Sequence, residues 1–348
     1  MKIAVNVSPL TDPGHKVRGV GFYLTHLKRA LEENNNSHSI SFFKSEEDID
    51  RDIDIVHYPY FDPFVLQHNF KKSYKKVVTI HDLTPLVFPE HFPVGIKGKL
   101  RWNINRQLVR NLDAVITDSI SSQKDCLRFL PLSKEKVSVV YLAADEKFKK
   151  IELDEKEKQA LVSKFKLPKE FLLYVGDATW NKNLPNLLTA ATEQNISLVL
   201  VGKTLAQEKV LDHPWNKSLL QAREIIKKSK CIYSIGFVTD EELTQLYNLA
   251  NGLCMPSYYE GFGLPIVEAM QSGCPVLTSD KGSLSEVGGD AVLYVDPYNT
   301  ASIAEGMKKL LTDSKVRFDL QKKGFVQAQK FSWGKTAQDT LRVYENIA

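Results

Sequence analysis

A chain of 348 residues with 43% apolar and 25% charged side chains is long enough for two domains, each with its own core. A net charge of +4 is too mild to argue for a nucleic-acid surface, and no run approaches the ~20 apolar residues needed to cross a bilayer. The four cysteines, at 126, 231, 254 and 274, show no Cys-x-x-Cys spacing and lie in apolar contexts, which favours small buried thiols over metal ligands or disulfides.

The opening MKIAVNVSPL carries one lysine and a short apolar run ending at Ser8-Pro9, so it reads as a first buried strand and not as a leader, and cytoplasmic residence is expected. In the first half, residues 2–8, 39–43, 53–57, 77–80, 113–117 and 137–140 read as strands, with helical patterns near 20–33, 96–111 and 119–129. The charged segment 151–168 ends at a proline and reads as a helix-bearing linker. Beyond it, 171–175, 196–201, 231–235, 252–256, 275–278 and 291–294 form a second set of strands. Several of these are continuous apolar runs such as SLVLVG (197–202), and strands apolar on both faces belong to parallel sheets covered by helices. Ligands of such sheets bind at the carboxyl ends of the strands. His57, His81, Gly176, Gly202, Gly236 and Ser257 all fall there.

The richest stretch is MPSYYEGFGLPIVEAM (255–270). A buried strand runs into a turn that Gly261 and Gly263 permit, and a helix follows with Pro265 in its first turn. The amides of Phe262, Gly263 and Leu264 then point out of a helix N-terminus, which favours an anion. Glu260 stands just before that terminus and Glu268 two turns inside it. Gly19-Val20-Gly21 opens an earlier helix, but the third glycine of a dinucleotide fingerprint is Leu24 and the first strand ends about ten residues upstream, so a nicotinamide or flavin reading is disfavoured.

The 255–270 stretch resembles the paired-glutamate signature of retaining glycosyltransferases of family 4. Further resemblance follows in the family's order: GVGFYLTHL (19–27), VVTIHDLTPLVFPEHFP (77–93), DAVITDSISSQKD (113–125), FLLYVGDATWNKNL (171–184), GFVTDEELTQLYNLANGLCMPS (236–257), GSLSEVGGDAVLYVDP (282–297) and FSWGKTAQDTLRVYENI (331–347). The resemblance implies an α/β GT-B fold, two Rossmann-like parallel-sheet domains facing each other across a cleft. The N-terminal acceptor-side domain would be 1–165, joined by a crossover helix at 332–348, and the nucleotide-sugar domain 166–331. It further implies that His81 and Glu260 are catalytic and that Gly19, Gly21, Lys182, Phe262, Gly263, Leu264 and Glu268 bind the donor. His57 and Asp82 would serve the acceptor side.

The implied activity is metal-independent, retaining transfer of a hexose from a nucleotide sugar to a glycan or lipid-linked saccharide acceptor. The strings at 81–93, 282–297 and 331–341 are most similar to bacterial mannosyltransferase-like members, so GDP-mannose is favoured over UDP-hexoses, in cell-surface polysaccharide or glycoconjugate synthesis. No cofactor is implied. A phosphorylase, a sugar-nucleotide epimerase or a catalytically silent sugar-nucleotide-binding protein are the alternatives. The Asp-x-Asp run at Asp48, Asp50, Asp52 and Asp54 could hold a divalent ion, but its place before a strand favours a solvated turn.

Two departures remain. Many family members carry an arginine soon after the strand FLLYVG, where this chain has Asp177 and Asn181, which leaves Lys182 as the main cation for the diphosphate, with Lys203 or Arg18 in reserve. Residues 71–110 hold nine Lys or Arg (71, 72, 75, 76, 97, 99, 101, 106 and 110) against Asp82 and Glu90. On a helix from 96 to 111, Ile96, Leu100, Ile104 and Leu108 would form the core stripe and turn Lys99, Trp102 and Arg106 outward. Such a face suits peripheral contact with an anionic membrane at the inner face of the plasma membrane.

Overall fold

The computed structural model describes residues 1–11, 19–35, 37–66, 74–207 and 210–348; Arg18, Lys71 and Lys72 lie outside them. The chain divides into one unit made of residues 1–143 and 331–348 and a second made of 144–330.

In the first unit, β1 (Lys2–Asn6), α1 (Gly19–Asn34), β2 (Ser39–Phe43), β3 (Ile55–Tyr58), β4 (Lys75–Ile80), α2 (Gly95–Leu108), β5 (Ala114–Thr117), α3 (Ile120–Phe129) and β6 (Val137–Val139) alternate as the sequence patterning requires. The sheet is parallel throughout, in the order β2-β1-β3-β4-β5-β6. Val78 and Val115, paired in register on β4 and β5, and Val56 on β3 are all inaccessible to solvent and carry the core. Burial of each is worth about 1.5 kcal/mol or more.

The second unit contains α4 (Glu155–Phe165), β7 (Leu172–Val175), α5 (Leu184–Glu193), β8 (Leu198–Val201), α6 (Lys217–Lys228), β9 (Ile232–Gly236), α7 (Asp240–Leu249), β10 (Gly252–Met255), α8 (Leu264–Gln271), β11 (Val276–Thr278), β12 (Leu293–Tyr294), α9 (Thr300–Thr312) and α10 (Ser314–Ala328). Its parallel sheet runs β12-β11-β10-β7-β8-β9, the doubly wound order in which the first and fourth strands of the unit are neighbours. Helix α11 (Trp333–Glu345) returns to the first unit, where Ala337, Leu341 and Tyr344 recur at helical spacing on its buried face.

The division falls at 143/144, some twenty residues before the expected 165. Residues 145–165 belong to the second unit because α7 and its flanks hold them. Lys147 Nζ bridges Asp145 (3.0 Å) and Asp240 (2.7 Å), the Asn248 side chain pairs with the carbonyl of Lys149 (2.9 Å) and the amide of Ile151 (3.0 Å), and Lys164 pairs with Glu242. A charged, irregular stretch gives no apolar pattern from which to read that attachment.

Candidate active site

In the second unit the strand order reverses between β7 and β10, so the loops leaving their carboxyl ends part in opposite directions and open a crevice at the switch point. The loop after β7 carries Lys182 and the loop after β10 carries Glu260. Lys182 Nζ lies 2.7 Å from Glu260 Oε2, and Ser257 Oγ donates to Glu260 Oε1 at 2.7 Å. The carboxylate is 7% exposed. A buried carboxylate must be paired or hydrogen-bonded, and here it is both.

Side chains that fasten the two loops set this geometry. Asn183, buried and in the left-handed conformation (φ 56°), donates to the carbonyls of Pro256 (2.9 Å) and Pro297 (2.7 Å). Asn181 donates to the Tyr259 carbonyl (3.0 Å), and its own carbonyl accepts from the Tyr258 amide (2.7 Å). Trp180 stacks on Tyr258, and Tyr258 on Tyr298. On the far side, Ser283 Oγ reaches the carbonyls of Glu260 (3.0 Å) and Phe262 (2.7 Å), and Gly282 (φ 57°) approaches so closely that a Cβ there would lie 2.9 Å from the Glu260 carbonyl oxygen.

Gly263 (φ 107°) turns the chain into α8, with Pro265 in the first turn. Phe262 is buried beneath that turn, and the N-terminal end of the helix dipole lies immediately after Glu260 in the chain. Glu268, within α8, is 9% exposed and accepts from the Tyr247 hydroxyl at 2.9 Å. Burial pushes its pKa up to about 7, against the opposing pull of that hydrogen bond. Asp177 accepts from Thr204 Oγ1 at 3.2 Å, so its carboxylate is anchored toward the loop after β8.

In the first unit His81 follows β4 directly. Its Nδ1 lies 2.7 Å from Asp118 Oδ2 and its Nε2 3.2 Å from the Pro59 carbonyl, while the Tyr23 ring meets its ring edge-on at 4.8 Å. Burial opposes a charge on His81, but Asp118 and Asp82 outweigh it and hold the imidazole pKa above its ordinary value. Asp82 caps the turn Thr84–Val87 by accepting from the Thr84 amide (2.8 Å).

Two expectations change. His57 presents no atom to an acceptor: it is fully buried, its Nδ1 2.7 Å from the Tyr344 hydroxyl and its Nε2 2.8 Å from Thr79 Oγ1, and burial followed by the charge on His81 lowers its pKa to about 3. It is a neutral core linker between β3, β4 and α11. The stripe Ile96, Leu100 and Ile104 faces solvent instead of the core, while Trp102 packs against the core. The inward face of α2 is chosen by Asn105, whose side-chain amide lies 2.9–3.3 Å from the carbonyls of Asp62, Pro63 and Val65. The acidic run forms a turn, as its place before a strand suggested: Asp48 closes a capping box with Ser45, Asp52 pairs with Lys2 Nζ and Asp54 accepts from the Lys2 amide (2.8 Å).

Gly19 and Gly21 form the first turn of α1, and among the described residues a Cβ on Gly19 would meet no atom within 4 Å. All four cysteines are buried thiols. Sequence reading missed Asn183, Asp118, Tyr247 and Ser283. Only Asn183 carried a signal, as an Asn directly before the Leu-Pro start of a helix.

A model of glycosyl transferases group 1 matches residues 155–327, and one of Glycosyltransferase Family 4 matches residues 11–148. O-antigen chain mannosyltransferase B of Escherichia coli is 31% identical over 303 residues, covering 84% of this chain and 75% of that protein. The serotype-specific mannosyltransferase WbdA of the same organism is 30% identical over 283 residues, which is 79% of this chain but 34% of that longer protein. Among solved structures, Anabaena HepE in complex with UDP and glucose has a TM-score of 0.73 at 17% identity, covering 99% of both chains, a likeness of fold.

Proposed function

The chain belongs to glycosyltransferase family 4, and from that premise we propose that it is a retaining mannosyltransferase that uses GDP-mannose without a metal. The acceptor in this reading is a glycan or lipid-linked saccharide of a growing cell-surface polysaccharide. Cytoplasmic residence, with peripheral contact at the inner face of the plasma membrane, is part of the same proposal.

The observation that carries it is the Lys182–Glu260 pair at the switch point between β7 and β10, beside the N-terminus of α8. Cleaving a sugar–phosphate bond makes the anomeric carbon positive and the departing diphosphate more negative. A lysine and a helix N-terminus aimed at the leaving group stabilise that change more than they stabilise the bound donor. In the proposed cycle Lys182 turns from Glu260 toward the diphosphate, while Glu260 accepts hydrogen bonds from sugar hydroxyls and faces the developing positive charge. The resting pair keeps each charge compensated in a poorly solvated place. Glu268 takes the ribose hydroxyls, and His81 offers a proton to a donor oxygen. For retention, the acceptor hydroxyl attacks from the face the phosphate leaves. The C1–O bond to phosphate breaks as the C1–O bond to the acceptor forms, and the acceptor's proton passes to the departing phosphate oxygen.

Thermal shift against a panel of sugar nucleotides tests the donor. GDP-mannose is expected to raise the melting temperature more than any UDP-hexose, and the reverse order would overturn the assignment.

A further inference from the structure

Helix α2 combines three features that a helix packed on a core does not ordinarily leave in water. Ile96, Leu100 and Ile104 are 87%, 61% and 39% exposed, and at roughly 100° per residue they lie within an arc of about 80°. Lys97 and Arg101 border that arc on one side and Lys99 and Arg106 on the other, all four exposed. The helix sequence GIKGKLRWNINRQL contains no acidic residue. Behind it, Asn105 and Trp102 fix the opposite face to the unit, so the apolar stripe cannot roll inward without breaking the Asn105 contacts to the 62–65 loop. That loop adds exposed Val65 and Leu66.

We propose that this face of α2 is a docking surface for an anionic phospholipid bilayer, with Ile96, Leu100 and Ile104 entering the headgroup–acyl boundary and Lys97, Lys99, Arg101 and Arg106 meeting the lipid phosphates. A single apolar stripe between two rows of cations is what a helix lying in the plane of a charged interface requires. A neutral partner surface would gain nothing from cations on both borders of the stripe, whereas the phosphates of an anionic bilayer meet both rows while the acyl region takes the stripe. The surface deepens the proposed membrane contact by naming its residues, and it rests on that reading for the side of the membrane only. Binding to lipid needs no sugar transfer, so the two can fail separately.

The test is flotation of the full chain with vesicles of phosphatidylcholine alone or mixed with phosphatidylglycerol. The wild-type chain is expected to float with the mixed vesicles and to be released by salt. Replacing Ile96, Leu100 and Ile104 together by Ser should reduce floated protein at least ~10-fold, and a Lys97→Glu, Lys99→Glu, Arg101→Glu variant should lose the preference for the anionic lipid. These residues are exposed, so circular dichroism and transfer to a water-soluble saccharide should be unchanged in both variants. Equal flotation of wild type and the serine variant would overturn the proposal. So would sedimentation showing wild-type dimers that the serine variant abolishes in the absence of vesicle binding, since the stripe would then be an interface between two copies.

Discussion

His81 presents Nδ1 to the Asp118 carboxylate at 2.7 Å and Nε2 to the Pro59 carbonyl at 3.2 Å, so both ring nitrogens face acceptors and the arrangement favours the imidazolium. Among the described residues the other carboxylate oxygen of Asp118 is buried without a hydrogen-bond partner, and His81 is the group that compensates the charge. Because the pKa of His81 is raised in the folded state, the stability from this pair is fully present below the ordinary imidazole value and is lost as pH rises through the folded value.

Asp118→Asn removes the carboxylate while keeping its shape. The pKa of His81, followed by NMR of histidine-labelled protein, is expected to fall to ~6.5 or below, and the alkaline limb of the kcat profile should move in the same direction. An unchanged titration would show that Asp118 does not hold the charge.

Lys182→Ala should cost ~3 kcal/mol or more in kcat/KM, the scale of deleting a charged partner of a desolvated group. It also strands Glu260 in a site where 7% of that residue is exposed, so some stability loss accompanies it. Lys182→Arg, which keeps the charge, should restore stability more fully than rate. Steady-state kinetics with saturating acceptor read the difference, and a near-normal alanine variant would show that another cation neutralises the diphosphate.

Glu260→Gln should lower kcat by at least ~10²-fold while leaving the fold intact, because the amide still accepts from Ser257 but carries no charge. Transfer at the wild-type rate by the purified variant would remove Glu260 from the reaction.

The proposed contact of Glu268 with the donor predicts pH-dependent donor binding. Its pKa is about 7 in the folded protein against 4.5 for a free glutamate, so the folded state binds the extra proton between those values and stability falls as pH rises through that window. Ribose hydroxyls are held best by the carboxylate, so the donor KM should fall as pH rises through 7. Tyr247→Phe removes the hydrogen bond that lowers the pKa and should shift that transition upward, whereas Glu268→Gln should flatten it. A pH-independent KM in the wild type would place Glu268 away from the donor.

Asn183→Ala loses two hydrogen bonds to carbonyls and places a non-glycine, non-Asn residue at φ 56°, and about 2–3 kcal/mol of stability should go with it. Asn183→Gly relieves the backbone but not the hydrogen bonds, so it should recover part of the loss in chemical denaturation. Equal stability of Asn183→Ala and the wild-type chain would mean that the two loops hold without this tie.

Strand positions were legible because parallel strands buried on both faces write their pattern into short apolar runs such as SLVLVG. Sheet order then placed Lys182 and Glu260 together; the motif around 255–270 had already singled out Glu260, and the resemblance after the strand FLLYVG had singled out Lys182. The rest was hidden for identifiable reasons. The partners of His81 and His57 lie 37 and 287 residues away, at Asp118 and Tyr344, and nothing local marks them. On α2 the period of Ile96, Leu100 and Ile104 was read correctly but its direction was not, because the buried side is held by the hydrogen bonds of Asn105 and the packing of Trp102. Apolar periodicity says which residues share a face; only the neighbours say where that face points.

The most direct test of the account is the product itself. Purified chain, incubated with GDP-mannose and a mannose-terminated acceptor in excess EDTA, should release GDP and form a new glycosidic bond whose anomeric configuration, read by NMR, matches the α-configuration of the donor. A product of inverted configuration, transfer from a UDP-hexose only, or activity that EDTA abolishes and magnesium or manganese restores would contradict it.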